Sequence, residues 1–470
     1  MTLFNKYFIL TEVTRANVEK SNAHKGLLFS FFVCFGFFST AAREDSTILQ
    51  LNIYHGGQIF MNKAFIKKYG TLLLLAAGAG IIFQLPYIRE TFYVPIQNAM
   101  NLTNEQMGKL SAGYAAMATL SYFVGGIIAD KFSARKLLTF SFLATGVLGL
   151  WFSTFPGYNV SRIIFVLMGI STIITYWSAC IKATRMLGTD EEQGRLFGLQ
   201  EGLRGVLNAL LVFGMTAAFT RHVDEVAGAA SAIRVCAITV IVIGVLNWFF
   251  IEDTKKEENT ESLGEVVKGM FKCLLIPKVW ILVGIIFTAY SVYGLIGYVT
   301  TYAQQFYGMT AAQAASLGGV RYLIQGVGGI LGGFLADKLH SRVKVLVGGC
   351  IGLAASFALY IFMPADASLY TAVVINFFFG LVFIYAVRSQ YFAVHADAGI
   401  PTSLSGRVSG IASTLGYMPD VFMYTLVGSW MDQYGRTGYN MTWTYAIVAA
   451  ILCVVLSLIL NVIIKKEQAK

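Results

Sequence analysis

The sequence predicts an all-α membrane protein, with twelve transmembrane helices arranged as two pseudo-symmetric six-helix bundles. Three observations lead there. Apolar residues fill 56% of the 470 positions and charged residues only 13%, whereas a soluble domain carries about 45–50% and about 25%. Such a chain has no surface fit for water all round. Second, a charged turn recurs. Gly125-Gly126-Ile127-Ile128-Ala129-Asp130-Lys131 and Gly332-Gly333-Phe334-Leu335-Ala336-Asp337-Lys338 each lead, four residues on, to an arginine, Arg135 and Arg342. The register runs backwards from there, with Leu102 to Gln106 lying over Met309 to Gln313 and Gln97 over Gln304, so the chain is a duplication. Third, twelve apolar stretches from residue 70 onward each reach the roughly 20 residues that a helix needs to span a bilayer.

Residues 1–60 differ from the rest. Residues 26–42 are apolar and Phe-rich but marginal in length, with no convincing cleavage site. Gly56-Gly57, three residues and then Met61 fit a ribosome-binding sequence before a start codon. The working hypothesis is that Met61 is the true start and 1–60 a doubtful extension or mis-assigned leader; a native peptide from upstream of Met61 would refute it. The predicted spans are 70–97, 105–129, 136–155, 160–185, 195–219 and 227–251 in an N-terminal bundle (70–251), then 279–305, 311–336, 343–363, 368–394, 405–430 and 440–464 in a C-terminal bundle (278–464). Unbroken helices are the open-chain structures that satisfy their own backbone in lipid.

Lysine and arginine set the orientation. Lys131, Arg135 and Lys136, Lys182 and Arg185, Lys255 and Lys256, Lys338 and Arg342, Arg388, and Lys465 and Lys466 fall in alternate loops. The opposite loops hold little beyond Arg162, Arg221 and Arg436. The positive-inside rule then places both termini in the cytoplasm, and the net charge of +10 reads as topology, not as a nucleic-acid surface. The linker at 252–277 opens with solvated charge. Ser262 and Glu265 form a capping box, and Leu263, Val266, Val267, Met270 and Phe271 recur at helical spacing, as in a helix lying on the membrane face. Residues 465–470 form a cytoplasmic tail. The six cysteines form no CxxC pair and imply no disulfide framework or metal site.

Charge inside a span is expensive and marks a cavity or a partner. Arg89 and Glu90 lie in the first span, Glu201 and Arg204 in the fifth, Arg321 in the eighth and Asp420 in the eleventh, while the third, ninth and twelfth have none inside. A water-accessible cavity between the bundles explains the pattern. Glu201 and Arg204, three apart, also suit an ion pair. Asp420 suits a proton carrier or a counter-ion to Arg321. Gly326-x-Gly328-Gly329-x-x-Gly332 imitates a nucleotide loop, but no strand precedes it, and close helix packing explains it better.

The duplicated halves and the Gly-x-x-x-Asp-Lys turn, at Gly126, Asp130, Lys131 and Arg135 and again at Asp337 and Arg342, resemble the major facilitator superfamily over residues 70–464. That resemblance implies a secondary transporter that alternates access, with the turns acting as a gate. Pro86-Tyr87-Ile88-Arg89-Glu90-Thr91-Phe92 is similar to the first helix of organophosphate and organic-anion carriers, whose arginine contacts the substrate. Their second arginine, in the seventh helix, has no counterpart here. Residues 388–420 resemble uncharacterised enterobacterial inner-membrane members, which lend no substrate.

The expected activity is transport of a small organic anion across a bacterial inner membrane, coupled to protons or to a counter-anion. Arg89, Arg204 and Arg321 are the candidate anion ligands, and Glu90, Glu201 and Asp420 the candidate proton carriers or counter-ions. A proton-coupled sugar or drug transporter and a non-transporting sensor are the alternatives. No nucleophile–base pair suggests an enzyme, no cofactor or metal is implied, and a monomer in the lipid bilayer is expected.

Overall fold

The computed structural model describes residues 63–189, 192–253, 263–391, 393–399 and 402–468. The extension, the Met61 start and the Ser262 cap lie outside them. The chain divides into Met1–Tyr69 and Gly70–Lys470. Only the opening turns of the first helix are described in the former; the rest of the fold lies in the latter.

Every regular element among the described residues is helical. In order, the crossings are a first helix in two pieces, Lys63–Ile81 and Arg89–Met100, then Asn104–Lys131 and Ala134–Phe152. The fourth, fifth and sixth follow as Tyr158–Arg185, Gln193–Phe219 and Glu225–Phe250. The seventh is again split, Pro277–Leu295 and Tyr298–Phe306, before Ala311–Lys338, Arg342–Phe362 and Tyr370–Gln390. The eleventh comprises Thr402–Gly416 and Pro419–Tyr434, and the twelfth is Arg436–Gln468. That last helix runs beyond the expected end at 464, because Lys465 and Lys466 sit in its final turn, where cations complement the helix dipole. The linker forms the expected short helix, Leu263–Cys273, with Phe271 and Leu275 exposed.

The sequence repeat is in part a repeat of helix caps. Thr103 accepts from the Gln106 N–H and Thr310 from the Gln313 N–H, and each glutamine side chain reaches back to its cap. Ser133 and Ser341 cap the third and ninth helices in the same way, accepting from the Lys136 and Lys344 N–H groups. Each cap satisfies donors that a helix start leaves orphaned. Packing repeats too. The third helix lies on the sixth and the ninth on the twelfth; the second lies on the fourth and the eighth on the tenth. Across the pseudo-twofold axis, the second packs along the eleventh and the fifth along the eighth.

The two halves meet at the end remote from the repeated turns. Asp432, in the last turns of the eleventh helix, accepts from the Asn104 N–H at 2.9 Å, the Asn104 Nδ2 at 2.7 Å and the Glu105 N–H at 2.8 Å. A carboxylate of one half thereby caps a helix of the other, where the dipole favours negative charge. Backbones touch behind this latch. A Cβ on Gly108 would stand 2.2 Å from the Tyr424 carbonyl oxygen, and one on Gly428 would stand 2.2 Å from that of Asn104. Toward the turns, Gly198, Gly202, Gly329 and Gly333 on the fifth and eighth helices have nothing within 4 Å of a built Cβ. The halves touch closely at the far end, and the fifth and eighth helices separate toward the turns.

Gly108→Ala is therefore expected to lower the stability of the purified protein by about 1–3 kcal/mol through overpacking. Gly202→Ala, on an open helix face, should be neutral or slightly stabilising through helix propensity. Thermal unfolding in one detergent compares them; equal midpoints would refute the close far-end contact.

Candidate functional site

Breaks in the helices place the polar groups. Pro86 interrupts the first helix, which passes through a 3₁₀ turn at Ile82–Gln84 and resumes at Arg89 with Glu90 in its first turn. Pro95 lacks the N–H that would bond the Thr91 carbonyl, and the backbone leaves helical geometry at Phe92 (φ −126°, ψ 46°). Pro419 restarts the eleventh helix with Asp420 in its first turn. Both carboxylates thus stand at helix N-termini, where the dipole stabilises them. The fourth helix widens into a π turn at Ile170–Trp177. There Thr172 and Thr175 hydroxyls donate to the Met168 and Ser171 carbonyls at 2.7 and 2.8 Å, satisfying backbone that the wider turn frees.

These elements surround a cavity of about 140 Å³, room for on the order of ten waters or an organic solute of like size. Its lining comes from the first, second, fourth, fifth, seventh, eighth, tenth and eleventh helices. The third, sixth, ninth and twelfth stay outside and turn residues such as Trp151, Phe249, Ile351 and Val455 outward. Aromatic rings dominate the wall, with Tyr87, Tyr114, Tyr122, Trp177, Tyr290 and Tyr293 among them. Gln84, Asn208 and Gln325 add amides, and Glu90, Arg204, Arg388 and Asp420 add charge.

Three charged groups are already partnered. Arg321 Nη1 lies 2.8 Å from Glu90 Oε2, with side chains 4% and 8% exposed, and Arg321 Nε donates to the Tyr385 hydroxyl at 3.1 Å. This pair joins the first helix to the eighth across the two halves. The carboxylate facing Arg321 is therefore Glu90, not Asp420: the break at Pro86 brings Glu90 beside the eighth helix, while two tyrosines hold Asp420. The Tyr87 and Tyr290 hydroxyls donate to Asp420 Oδ2 at 3.0 and 2.9 Å, and Asp420 Oδ1 has no hydrogen-bond partner. Arg204 Nη1 pairs with Glu201 Oε1 at 3.1 Å, Glu201 being 59% exposed and Arg204 16%. Arg204 lines the cavity, whereas Glu201 stands outside its lining.

Arg89 is held differently. Its Nη1 donates to the Tyr298 hydroxyl at 3.1 Å, and its guanidinium sits 3.6 Å from the Tyr424 ring centre, a cation–π arrangement. It is 4% exposed and packed behind the cavity wall. Arg388 is the cation that sequence reasoning missed. It lies 4.2 Å from the Tyr293 ring centre, with Arg321 5.2 Å from the same ring. Its Nη1 is buried without a hydrogen-bond partner, and no described carboxylate forms an ion pair with it. The signal was available: position 388 falls six residues inside the predicted span 368–394, yet it reads as a loop cation in the orientation argument.

At the turns, the side chains of Gly126 and Asp130 lie outside the described set, and Lys131 and Asp337 are exposed. Arg135 Nη2 meets Asp253 Oδ2 at 2.9 Å, and Arg342 pairs with Asp397. A hydrogen bond from Ser133, with Arg135 and Lys136 nearby, holds the Asp253 carboxyl below its ordinary range. Beside Asp397, burial lowers the His395 pKa to about 4, so that imidazole is neutral at neutral pH. Each repeated arginine thus ties its turn to the segment after another helix.

A family model described as Major Facilitator Superfamily matches residues 69–423. The Inner membrane protein YqcE of Escherichia coli K12 is 30% identical over 404 residues, covering 84% of this chain and 95% of that protein. The Cis,cis-muconate transport protein of Acinetobacter baylyi is 26% identical over 374 residues, covering 74% and 83%. The fold matches the crystal structure of a bacterial homolog to the human lysosomal transporter Spinster, inward-facing and unoccupied, with a TM-score of 0.68 at 14% identity over 85% of this chain and 97% of that one.

Removing one member of the Glu90–Arg321 pair strands a buried charge, which destabilises by about 3–5 kcal/mol. Glu90→Gln and Arg321→Gln should each lower the unfolding midpoint, and the double variant should lose much less than their sum. Additive losses would show that the two side chains do not depend on each other.

Proposed function

The chain belongs to the major facilitator superfamily, and we propose that its cavity carries a small organic anion across the bacterial inner membrane in exchange for, or together with, protons. The superfamily and the transporter fold make it a transporter; the anion, the coupling, the inner-membrane location and the cytoplasmic placement of both termini are the parts proposed. One observation carries the reading: Arg388 lines the cavity, is buried at Nη1 and has no carboxylate partner among the described residues. An unpaired guanidinium in a membrane interior calls for an anion or water. Arg204, on the same lining, gives the anion a second guanidinium, since its Glu201 partner is solvated. Arginine's planar fork suits a carboxylate, sulfonate or phosphate better than an ammonium does. Arg321 and Arg89 then act as scaffold, one neutralised by Glu90 and the other held by two tyrosines. The relative named for cis,cis-muconate, a dicarboxylate, is consistent with this class.

Asp420 is the proton carrier in this reading. It is 3% exposed and lines the cavity, and its partners are hydroxyls rather than a cation. A tyrosine hydroxyl can donate to a carboxylate or accept from a carboxylic acid, so the same two partners suit both forms of Asp420. Glu90 is less suited, since its carboxylate is already engaged by Arg321 in the buried pair between the halves.

The tests use purified protein in proteoliposomes with a panel of labelled anions, sugars and cations. Wild type should accumulate an anion, and Arg388→Ala should bind it at least about tenfold more weakly with an unchanged unfolding midpoint; Arg388→Lys should recover only part. Uptake confined to neutral or cationic solutes would overturn the anion reading. Asp420→Asn should lose proton-driven accumulation yet keep exchange of labelled for unlabelled anion. An unchanged pH dependence of uptake in that variant would remove Asp420 from coupling.

A further inference from the structure

Two amides on the cavity wall belong to no network the anion reading uses. Gln84, in the first helix, is 2% exposed and Asn208, in the fifth, 4%. Both line the cavity, and Gln84 Oε1 and Asn208 Oδ1 are buried without hydrogen-bond partners. Asn208 lies against the first helix: the built Cβ of Gly80, four residues before Gln84, would stand 3.0 Å from Asn208 Cγ. Asn208 is in turn one helical turn, about 6 Å, beyond Arg204. The chain directions of the first and fifth helices put both amides deeper than Arg204, toward Glu90 and Asp420. The far end of the cavity adds one more open acceptor, Asp420 Oδ1.

Buried polar groups left unpaired are costly, and native structures satisfy nearly all of them. Water can fill the role in an empty cavity; on binding, the solute that displaces it must replace those bonds. An alkyl chain cannot. An ammonium would answer the acceptors but would be repelled by Arg204 and Arg388. A hydroxyl donates and accepts, so it pairs with either end of an amide and with a carboxylate oxygen.

We propose that the solute is a polyhydroxylated organic acid, its acidic group on Arg388 and Arg204 and its hydroxyls on Gln84, Asn208 and Asp420. The inference rests on the anion reading above and adds to it the chemistry of the solute's other end. A site built to bond hydroxyls rejects an analogue without them far more strongly than an apolar pocket rejects an extra one.

The experiment measures binding to the purified, full-length wild type with three matched probes: gluconate, hexanoate and glucose. Gluconate should bind at least about tenfold tighter than hexanoate, and glucose weakly or not at all. Asn208→Leu and Gln84→Leu should narrow the gluconate-to-hexanoate ratio while leaving hexanoate binding within about twofold. Equal binding of gluconate and hexanoate refutes the hydroxyl site and leaves the anion reading standing. Binding of glucose with no binding of either acid refutes the anion reading itself. Because the first comparison uses wild type alone, a variant that fails to fold leaves the answer unaffected.

Discussion

A guanidinium or carboxylate in hydrocarbon must have a partner, and the interior of this protein is arranged around that requirement. The Glu90–Arg321 pair meets it most completely, buried on both sides and supported by Tyr385. Its position depends on Pro86, which breaks the first helix so that Glu90 restarts a helix facing the eighth. Arg89, the next residue back, then turns away and is taken up by Tyr298 and Tyr424. Asp420 stands at a second restart, with Tyr87 and Tyr290 on one oxygen. Once these groups are matched, one cation and a few acceptors are left over on the cavity wall, and the leftover groups are the ones a solute can answer.

Much of this was legible in the chain and some was not. The duplication, the spans and the charge-free interiors of the third, ninth and twelfth helices follow from spacing and apolar length, which lipid enforces strictly. The polar residues at 89, 90, 204, 321 and 420 stand out because charge is rare in a span. Their pairing was not legible, because it depends on which way a broken helix turns. Arg89 and Glu90 are adjacent in sequence, yet one faces tyrosines and the other an arginine of the opposite half. Arg388 was hidden by its place near a helix end, where cations are ordinary. Gln84 and Asn208 carry no charge, and nothing in the spacing of Tyr87 and Tyr290 shows that both hydroxyls meet on Asp420.

The far end shows how weak, exposed contacts can define a state. Asp432 is exposed, and its three hydrogen bonds to the start of the second helix compete with water. What makes the contact selective is geometry. Gly108 and Gly428 let two backbones approach so closely that a side chain on either would collide with a carbonyl. The open glycines of the fifth and eighth helices near the turns form no such contact here. A rocking exchange of one closed end for the other would need close approach there instead, and those glycines leave room for it.

The cavity's groups are divided between the halves in a way that bears on coupling. Gln84, Arg204 and Asn208 come from the first six helices, and Arg388 and Asp420 from the last six. On the proposed reading, a solute held by Arg204 and Arg388 together draws the two halves toward each other at the end where they part. A ligand shifts a conformational equilibrium only by its difference in affinity for the two states. A solute that touches one half gains nothing from closure, whereas one that bridges both gains its second set of contacts only when the turn end narrows. The Glu90–Arg321 pair spans the same two halves without any solute, so it persists through closure only if the first and eighth helices move as a hinge. The second piece of the first helix packs on the eighth, with Gly318 against Thr91, so the contact that holds the pair is the one about which such a hinge would turn.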